Sequence, residues 1–186
     1  MRKSYVPQFL IDVMFCRFPQ LVTNGIDDKK LYFANKVRGR CMRMRGLTEQ
    51  ETEAARKVFG SKIDYSTPRI IDKRHFLAVR RSDQIIALDG NIYWPRVPAN
   101  LVNEEDPVTS ALFIHEMTHV MQYQCGTNVF LRGLFLHIAR LLSCGYYNPY
   151  WYRYVHGKPI HKYNIEQQAE IAVGIYFEWF PNTIDV

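Results

Sequence analysis

The sequence predicts an α+β fold in a single domain, 1–186: a small sheet with a hairpin, packed on two helices that carry charged side chains inward, and at least one further helix. Three observations predict it. Asp89-Gly90 followed by Asn91-Ile92-Tyr93-Trp94 is a hairpin signal between short β-type runs. Asp106-Pro107 opens a Gly- and Pro-free run that Gly126 closes, which is how a buried helix starts and stops. A third run, from Ile165 to Phe180, reads as a helix ended by Pro181. With 186 residues the chain is long enough for one proper core.

In chain order, residues 1–22 contain Phe9-Leu10-Ile11 and Val13-Met14-Phe15, but Asp12 and Arg17 interrupt the apolar run and no small-residue cleavage site follows. That is a poor signal peptide, so export would use a dedicated secretion machine; the segment is expected to pack on the domain as a short helix or strand. Residues 24–46 are loop-like and basic, and 1–45 reads as a basic N-terminal arm packed on the domain. Arg38, Arg40, Arg43 and Arg45 are a solvated arm or a docking surface for an acidic carrier protein. Thr48 to Phe59 is a helix, with Thr48 and Glu51 as a capping box and Gly60 as the stop. Short strands are expected at 69–72 and 84–88. Pro98 to Asp106 is a polar loop. Val129 to Leu142 has a helical, mostly apolar pattern that is too short and too charged to span a bilayer, which takes about 20 apolar residues. It is expected to be a core helix covering its neighbour rather than a membrane contact.

The net charge of +6 suits acidic partners, but no nucleic-acid motif accompanies it, so a solvated basic surface is the simpler reading. Cys16, Cys41, Cys125 and Cys144 lie far apart and are expected to be free thiols.

The chemistry concentrates in Leu112-Phe113-Ile114-His115-Glu116-Met117-Thr118-His119-Val120. Residues four apart on a helix share a face, so His115 and His119 can direct two imidazoles at one ion. Glu116 leans to the side of that pair and reaches a water on the metal. Zinc brings such a water to a pKa of about 7, and a carboxylate can take its proton and pass it to a leaving amine. The pattern therefore points to Zn2+-dependent hydrolysis of a protein or peptide substrate, with His115 and His119 as ligands and Glu116 as general base. A catalytic zinc takes a third protein ligand. Glu166 and Glu170 are again four apart, with Ile165, Ala169, Ala172 and Val173 able to face the core beside them. Glu166 is assigned as the third ligand and Glu170 as the hydrogen-bonding support of a ligand histidine; the reverse assignment stays open. Tyr146 to Tyr163 is dense in aromatics and should wall the cleft. A donor to the oxyanion is expected there, with Tyr163 and His156 as first candidates beside Tyr154 and His161. The hairpin strand ending at Trp94-Pro95, or its partner, can pair with an extended substrate.

His-Glu-x-x-His on one helix and Glu-x-x-Ala-Glu on a second resemble the gluzincin metallopeptidases, such as thermolysin and the membrane CAAX-prenyl-protease type. The resemblance implies a zincin-like fold, His115, His119 and Glu166 on zinc, Glu116 as base and Glu170 as support. Those families carry Asp where this chain has Glu170, which puts the support geometry in doubt. Gly-Asn-Ile-Tyr-Trp at 90–94, Phe-Ile-His-Glu-Met-Thr-His-Val at 113–120 and Tyr-Asn-Ile-Glu-Gln-Gln-Ala-Glu-Ile at 163–171 also resemble small bacterial proteins described as Rhs- or Vgr-related and linked to type VI secretion. That likeness covers roughly residues 45–180 and implies a bacterial effector peptidase, with a carrier in a secretion apparatus or an immunity protein as partner. Two other readings remain: a peptidoglycan or isopeptide hydrolase, which applies the same chemistry to another amide, and a non-catalytic zincin-fold component of a secretion apparatus, which has no need of Glu116.

Overall fold

The computed structural model describes residues 43–75 and 84–184. The segment 1–22, Arg38, Arg40, Cys16 and Cys41 lie outside them. The described residues form an α+β fold of four short strands and four α-helices. In order these are β1 (Met44–Arg45), α1 (Glu49–Phe59), β2 (Ile70–Ile71), β3 (Ile86–Ala87), β4 (Ile92–Tyr93), α2 (Pro107–Gln124), α3 (Val129–Leu142) and α4 (Ile165–Tyr176), with a 3-10 turn at Ile160–Lys162 before α4.

The end of the basic arm belongs to the sheet. Met44 pairs with Ile71 and Arg45 with Ile70, so this part is a strand and not the expected loop. Arg45 is held because its guanidinium reaches both oxygens of Glu51 at 2.7 Å. Glu51 is buried, and it also accepts from the Thr48 backbone N–H at 2.8 Å while the Thr48 hydroxyl accepts from the Glu51 N–H. One carboxylate thus completes the capping box of α1 and ties that helix to β1.

The sheet order is β1-β2-β4-β3, with β2 and β4 parallel and the two outer pairs antiparallel. The predicted hairpin is β3–β4, with Ile86 opposite Tyr93 and Ala87 opposite Ile92. Gly90 at its turn has φ +82°, and a Cβ there would meet the Tyr123 ring of α2 at 2.8 Å. The turn therefore needs glycine twice over, for its backbone and for its approach to α2. Of the two strands, β4 is interior and β3 is the edge.

α2 starts as the sequence requires: Asp106 accepts from the Thr109 N–H, and Pro107 occupies the first turn. Twelve of its eighteen residues are buried, which makes it the central helix of the domain and not a surface one. Phe113, Ile114, Met117 and Val120 meet Phe59, Ile70, Ile92 and Leu101 in the core. Burying a side chain of this size contributes about 1.5–3 kcal/mol.

Two expectations need correction. Val129 to Leu142 is a helix, but it does not belong to the core. Only Val129 is buried, while Leu131, Leu134, Phe135, Ile138, Leu141 and Leu142 are exposed. Its partly shielded residues, Gly133, Leu136 and Arg140, follow Val129 at helical spacing and offer too narrow an apolar stripe to bury more. The final helix also stops at Tyr176, short of Phe180. The Trp179 and Phe180 N–H groups turn back to the Gly174 carbonyl, and Glu178 takes φ 59° to allow it. The Phe180 ring then lies on Gly174, so this fold-back ends the helix before Pro181 is reached. Among the described residues no helix is long and apolar enough to cross a membrane. Cys125 and Cys144 are free and exposed.

Candidate metal centre

α2 and α4 lie against each other and bring the charged residues of both motifs to one buried place. α4 is set by its own capping box: Asn164 accepts from the Gln167 N–H, and Gln167 accepts from the Asn164 N–H. Asn164 also donates to the Pro149 carbonyl, and Gln167 to that of Trp151, so the aromatic segment is pinned to the start of α4. Ile165, Ala169, Ala172 and Val173 face the core as expected, which turns Glu166 and Glu170 inward toward α2.

The Oε2 of Glu166 lies 3.4 Å from His115 Nε2 and 3.6 Å from His119 Nε2. The imidazoles of His115 and His119 stand edge to face, 5.0 Å between centroids. The ligating atoms of His115, His119 and Glu166 all lie within 4.8 Å of one another, and all three residues are buried. Ligands at about 2.0–2.1 Å from a tetrahedral zinc are about 3.3–3.4 Å apart, so the two distances to Glu166 are near those of a ligand set.

The far side of each imidazole is anchored. His115 Nδ1 meets Glu170 Oε1 at 3.2 Å. His119 Nδ1 meets Gln122 Oε1 at 2.9 Å. The Gln122 amide nitrogen donates to the Ile165 carbonyl at 3.0 Å and to Gln168 Oε1 at 2.9 Å. A carbonyl can only accept, which sets the orientation of the Gln122 amide. Its oxygen must therefore face His119, and His119 must carry a proton on Nδ1; when that ring is neutral, Nε2 keeps the lone pair on the side of Glu166. The carboxylate of Glu170 selects the same tautomer for His115 when that ring is neutral.

The electrostatics favour a cation. Three buried carboxylates, Glu116, Glu166 and Glu170, share the cluster with two imidazoles. Burial lowers the pKa of His115, but hydrogen bonds to Glu166 and Glu170 outweigh it and raise the value to about 10. Burial works against ionisation of Glu166, yet the two histidines hold it well below the usual carboxylate range. Burial pushes Glu116 up, against the pull of His115 and His119. Glu116 accepts a hydrogen bond from the backbone N–H of Ala87 on β3, while its Oε2 is buried without a hydrogen-bond partner, as is Glu170 Oε2. Three donors converging on one point, with surplus negative charge and both histidines turned by their Nδ1 partners, fit a divalent transition metal such as zinc.

The oxyanion candidates fare differently. Tyr163 is buried, but its hydroxyl accepts from the Val155 N–H at 3.0 Å and donates to the Arg153 carbonyl at 3.3 Å. It holds the preceding loop together and is not directed at the cluster. His156 is exposed on that loop, Tyr154 stacks on Phe180, and His161 is exposed in the 3-10 turn. The structure brings none of the four to the imidazoles. Two tyrosines in the same aromatic run feel the charge of the cluster. Tyr150 is 3% exposed. Burial, and then the charges of Glu166, Glu170 and Glu116, push its hydroxyl pKa well above the usual tyrosine value. Tyr152 is raised by burial and by Glu170, and its hydroxyl is buried without a partner. Sequence reasoning named both only as part of the aromatic wall, because spacing within a loop does not say which ring turns inward. It also passed over Gln122, although position i+3 from His119 placed it on the ligand face of α2.

No family model matches the chain. It is 39% identical over 136 residues to the type VI secretion system spike protein VgrG2b of Pseudomonas aeruginosa. That alignment takes in 72% of this chain but 13% of the longer protein, so the chain spans a small part of that relative's length. The solved structure of the effector domain of Pseudomonas aeruginosa VgrG2b superposes with a TM-score of 0.63 at 34% identity, covering 80% of this chain and 83% of that domain. With its fold and most of its length shared at that level of identity, the chain belongs to the family of the VgrG2b effector domain.

Proposed function

We propose that the chain is a zinc-dependent hydrolase of the gluzincin type that cleaves peptide bonds, and that it acts as an effector delivered by a type VI secretion system. The observation that carries the activity is the convergence of His115 Nε2, His119 Nε2 and Glu166 Oε2, with Glu170 and Gln122 behind the two rings. Those three residues would hold the ion. Zinc bound there supplies a Lewis acid that polarises a carbonyl and brings the pKa of a bound water to about 7.

The protein's own groups do the rest. Glu116 is fixed on one side by the Ala87 N–H, and its free Oε2 takes the proton as water oxygen bonds to the carbonyl carbon. The same oxygen returns that proton to the amine nitrogen as the C–N bond breaks. Tyr150, kept protonated by burial and by the three carboxylates, donates to the oxygen on which charge develops. It takes the role that the sequence offered to Tyr163 and His156. As the edge strand beside α2, β3 offers the main chain for an extended substrate to pair with. The effector role rests on kinship with the VgrG2b effector domain.

Mass spectrometry of native protein tests the centre first. About one zinc per chain is expected for wild type, sharply weakened in Glu166→Gln. Glu116→Gln should keep the metal and lose hydrolysis of an unfolded protein substrate. Turnover retained by Glu116→Gln would remove Glu116 as base, and wild type that takes up no zinc after supplementation would remove the centre. Digestion of purified sacculi alongside unfolded protein separates a peptidoglycan or isopeptide hydrolase from a peptidase.

A further inference from the structure

α3 is an amphipathic helix turned inside out relative to the core. Its narrow inner stripe of Val129, Gly133, Leu136 and Arg140 faces the domain, while seven large apolar side chains, Phe130 among them, are exposed. Phe135, Leu141 and Leu142 are 68%, 77% and 78% exposed. Tyr146 and Trp151 extend the same apolar character into the following loop, at 91% and 58% exposure. Single exposed leucines need no explanation, but a contiguous apolar surface of this kind marks an interaction site.

The charge around it selects the occupant. From Cys125 to Ile165 the chain carries Arg132, Arg140, Arg153, Lys158 and Lys162, and no Asp or Glu. A second copy of this face would set like charge on like charge. The arm at 1–42 repeats the positive charge, with Arg2, Lys3, Arg17, Lys29, Lys30, Lys36, Arg38 and Arg40 against Asp12, Asp27 and Asp28. The surface calls for a partner that is apolar within and negative at its face. A bilayer with anionic headgroups meets both demands. A helix with Phe and Leu outward, the exposed Arg132 at its flank and Tyr and Trp beside it has the make-up of a segment that lies in the membrane interface. α3 is too short to cross a bilayer, which is consistent with lying in its plane.

We propose that α3 and the adjoining Tyr146–Trp151 loop form a docking surface for an anionic lipid bilayer, with the helix lying in the interface. The loop is hydrogen-bonded to the start of α4 through Asn164 and Gln167, so docking would hold the two-helix centre beside the membrane. Tyr150 of the same loop belongs to the proposed hydrolytic site, but Phe135 and Leu141, the positions that test the surface, lie outside it and outside the metal cluster.

Co-sedimentation of the full chain with phosphatidylcholine vesicles, with and without phosphatidylglycerol, tests it. Binding to the anionic vesicles should exceed binding to the zwitterionic ones by about tenfold or more, and should weaken as salt is raised. The double variant Phe135→Glu with Leu141→Glu should lose it by at least about tenfold, with its far-UV circular dichroism and zinc content unchanged. Both positions are exposed, so the variant has no buried carboxylate to unfold it. Failure of wild type to bind anionic vesicles, or equal binding by the variant, overturns the proposal. A lipid-free dimer in sedimentation velocity that the same variant dissolves would assign the face to a second copy and overturn it too.

Discussion

Replacing Gln122 with leucine isolates how far the residues behind the histidines control the centre. The side chain is 4% exposed and makes three hydrogen bonds, to His119 Nδ1, the Ile165 carbonyl and Gln168 Oε1. Leucine has a similar volume, so no large cavity opens. What is lost is the anchor that keeps the proton on Nδ1 and the lone pair on Nε2. At about 1 kcal/mol net per hydrogen bond the variant should be about 3 kcal/mol less stable, more if the Ile165 carbonyl stays buried without a donor. Loss of a group supporting a metal-bound histidine weakens metal binding by about 10- to 100-fold, or about 1.4–2.8 kcal/mol. Gln122→Glu is the companion. It keeps an acceptor for His119 and loses the donors to Ile165 and Gln168, so it should keep most of the zinc affinity and lose stability. The assay is zinc competition against a chromophoric chelator. Zinc affinity within about twofold of wild type in a folded Gln122→Leu variant would refute the reasoning.

Tyr150→Phe should leave zinc content unchanged and lower kcat by about 100-fold or more, as loss of an oxyanion donor does; an unchanged kcat would exclude the hydroxyl from the reaction. Glu51→Ala removes a buried carboxylate from both the partly exposed Arg45 and the cap of α1, and should cost about 1–3 kcal/mol in chemical denaturation, with Glu51→Gln milder because it can still complete the box. Gly174→Ala sets a methyl against the Phe180 ring, and should cost about 1–3 kcal/mol; Phe180→Leu in the same chain should restore part of it. Gly90→Ala strains the hairpin turn and presses it on Tyr123, so a lowered thermal midpoint is expected together with weaker hydrolysis, since β3 carries the Ala87 N–H that holds Glu116.

Local sequence by itself determined the parts whose physics is local. Thr48 with Glu51, Asp106 with Pro107, and Asn164 ahead of Ile165 start helices because caps act within one turn, and these helices begin where those residues stand. Asp89-Gly90 placed the hairpin for the same reason, since its turn requires a positive φ. The spacing of His115 and His119, and of Glu166 and Glu170, marked the faces that meet, because a helix repeats every 3.6 residues. Tertiary structure decided whatever depends on which groups are brought together across the chain. Only the packing of α4 on α2 sets Glu166 at the two Nε2 atoms and Glu170 behind His115, a distinction two glutamates four apart cannot make alone. Only the path of the loop buries Tyr150 within the field of the three carboxylates while Tyr163 is spent on the Arg153 and Val155 backbone. The helix at 129–142 shows the limit most plainly. Its apolar period is that of a core helix, but periodicity reports the presence of an apolar face and not what covers it, and here the domain leaves that face to solvent.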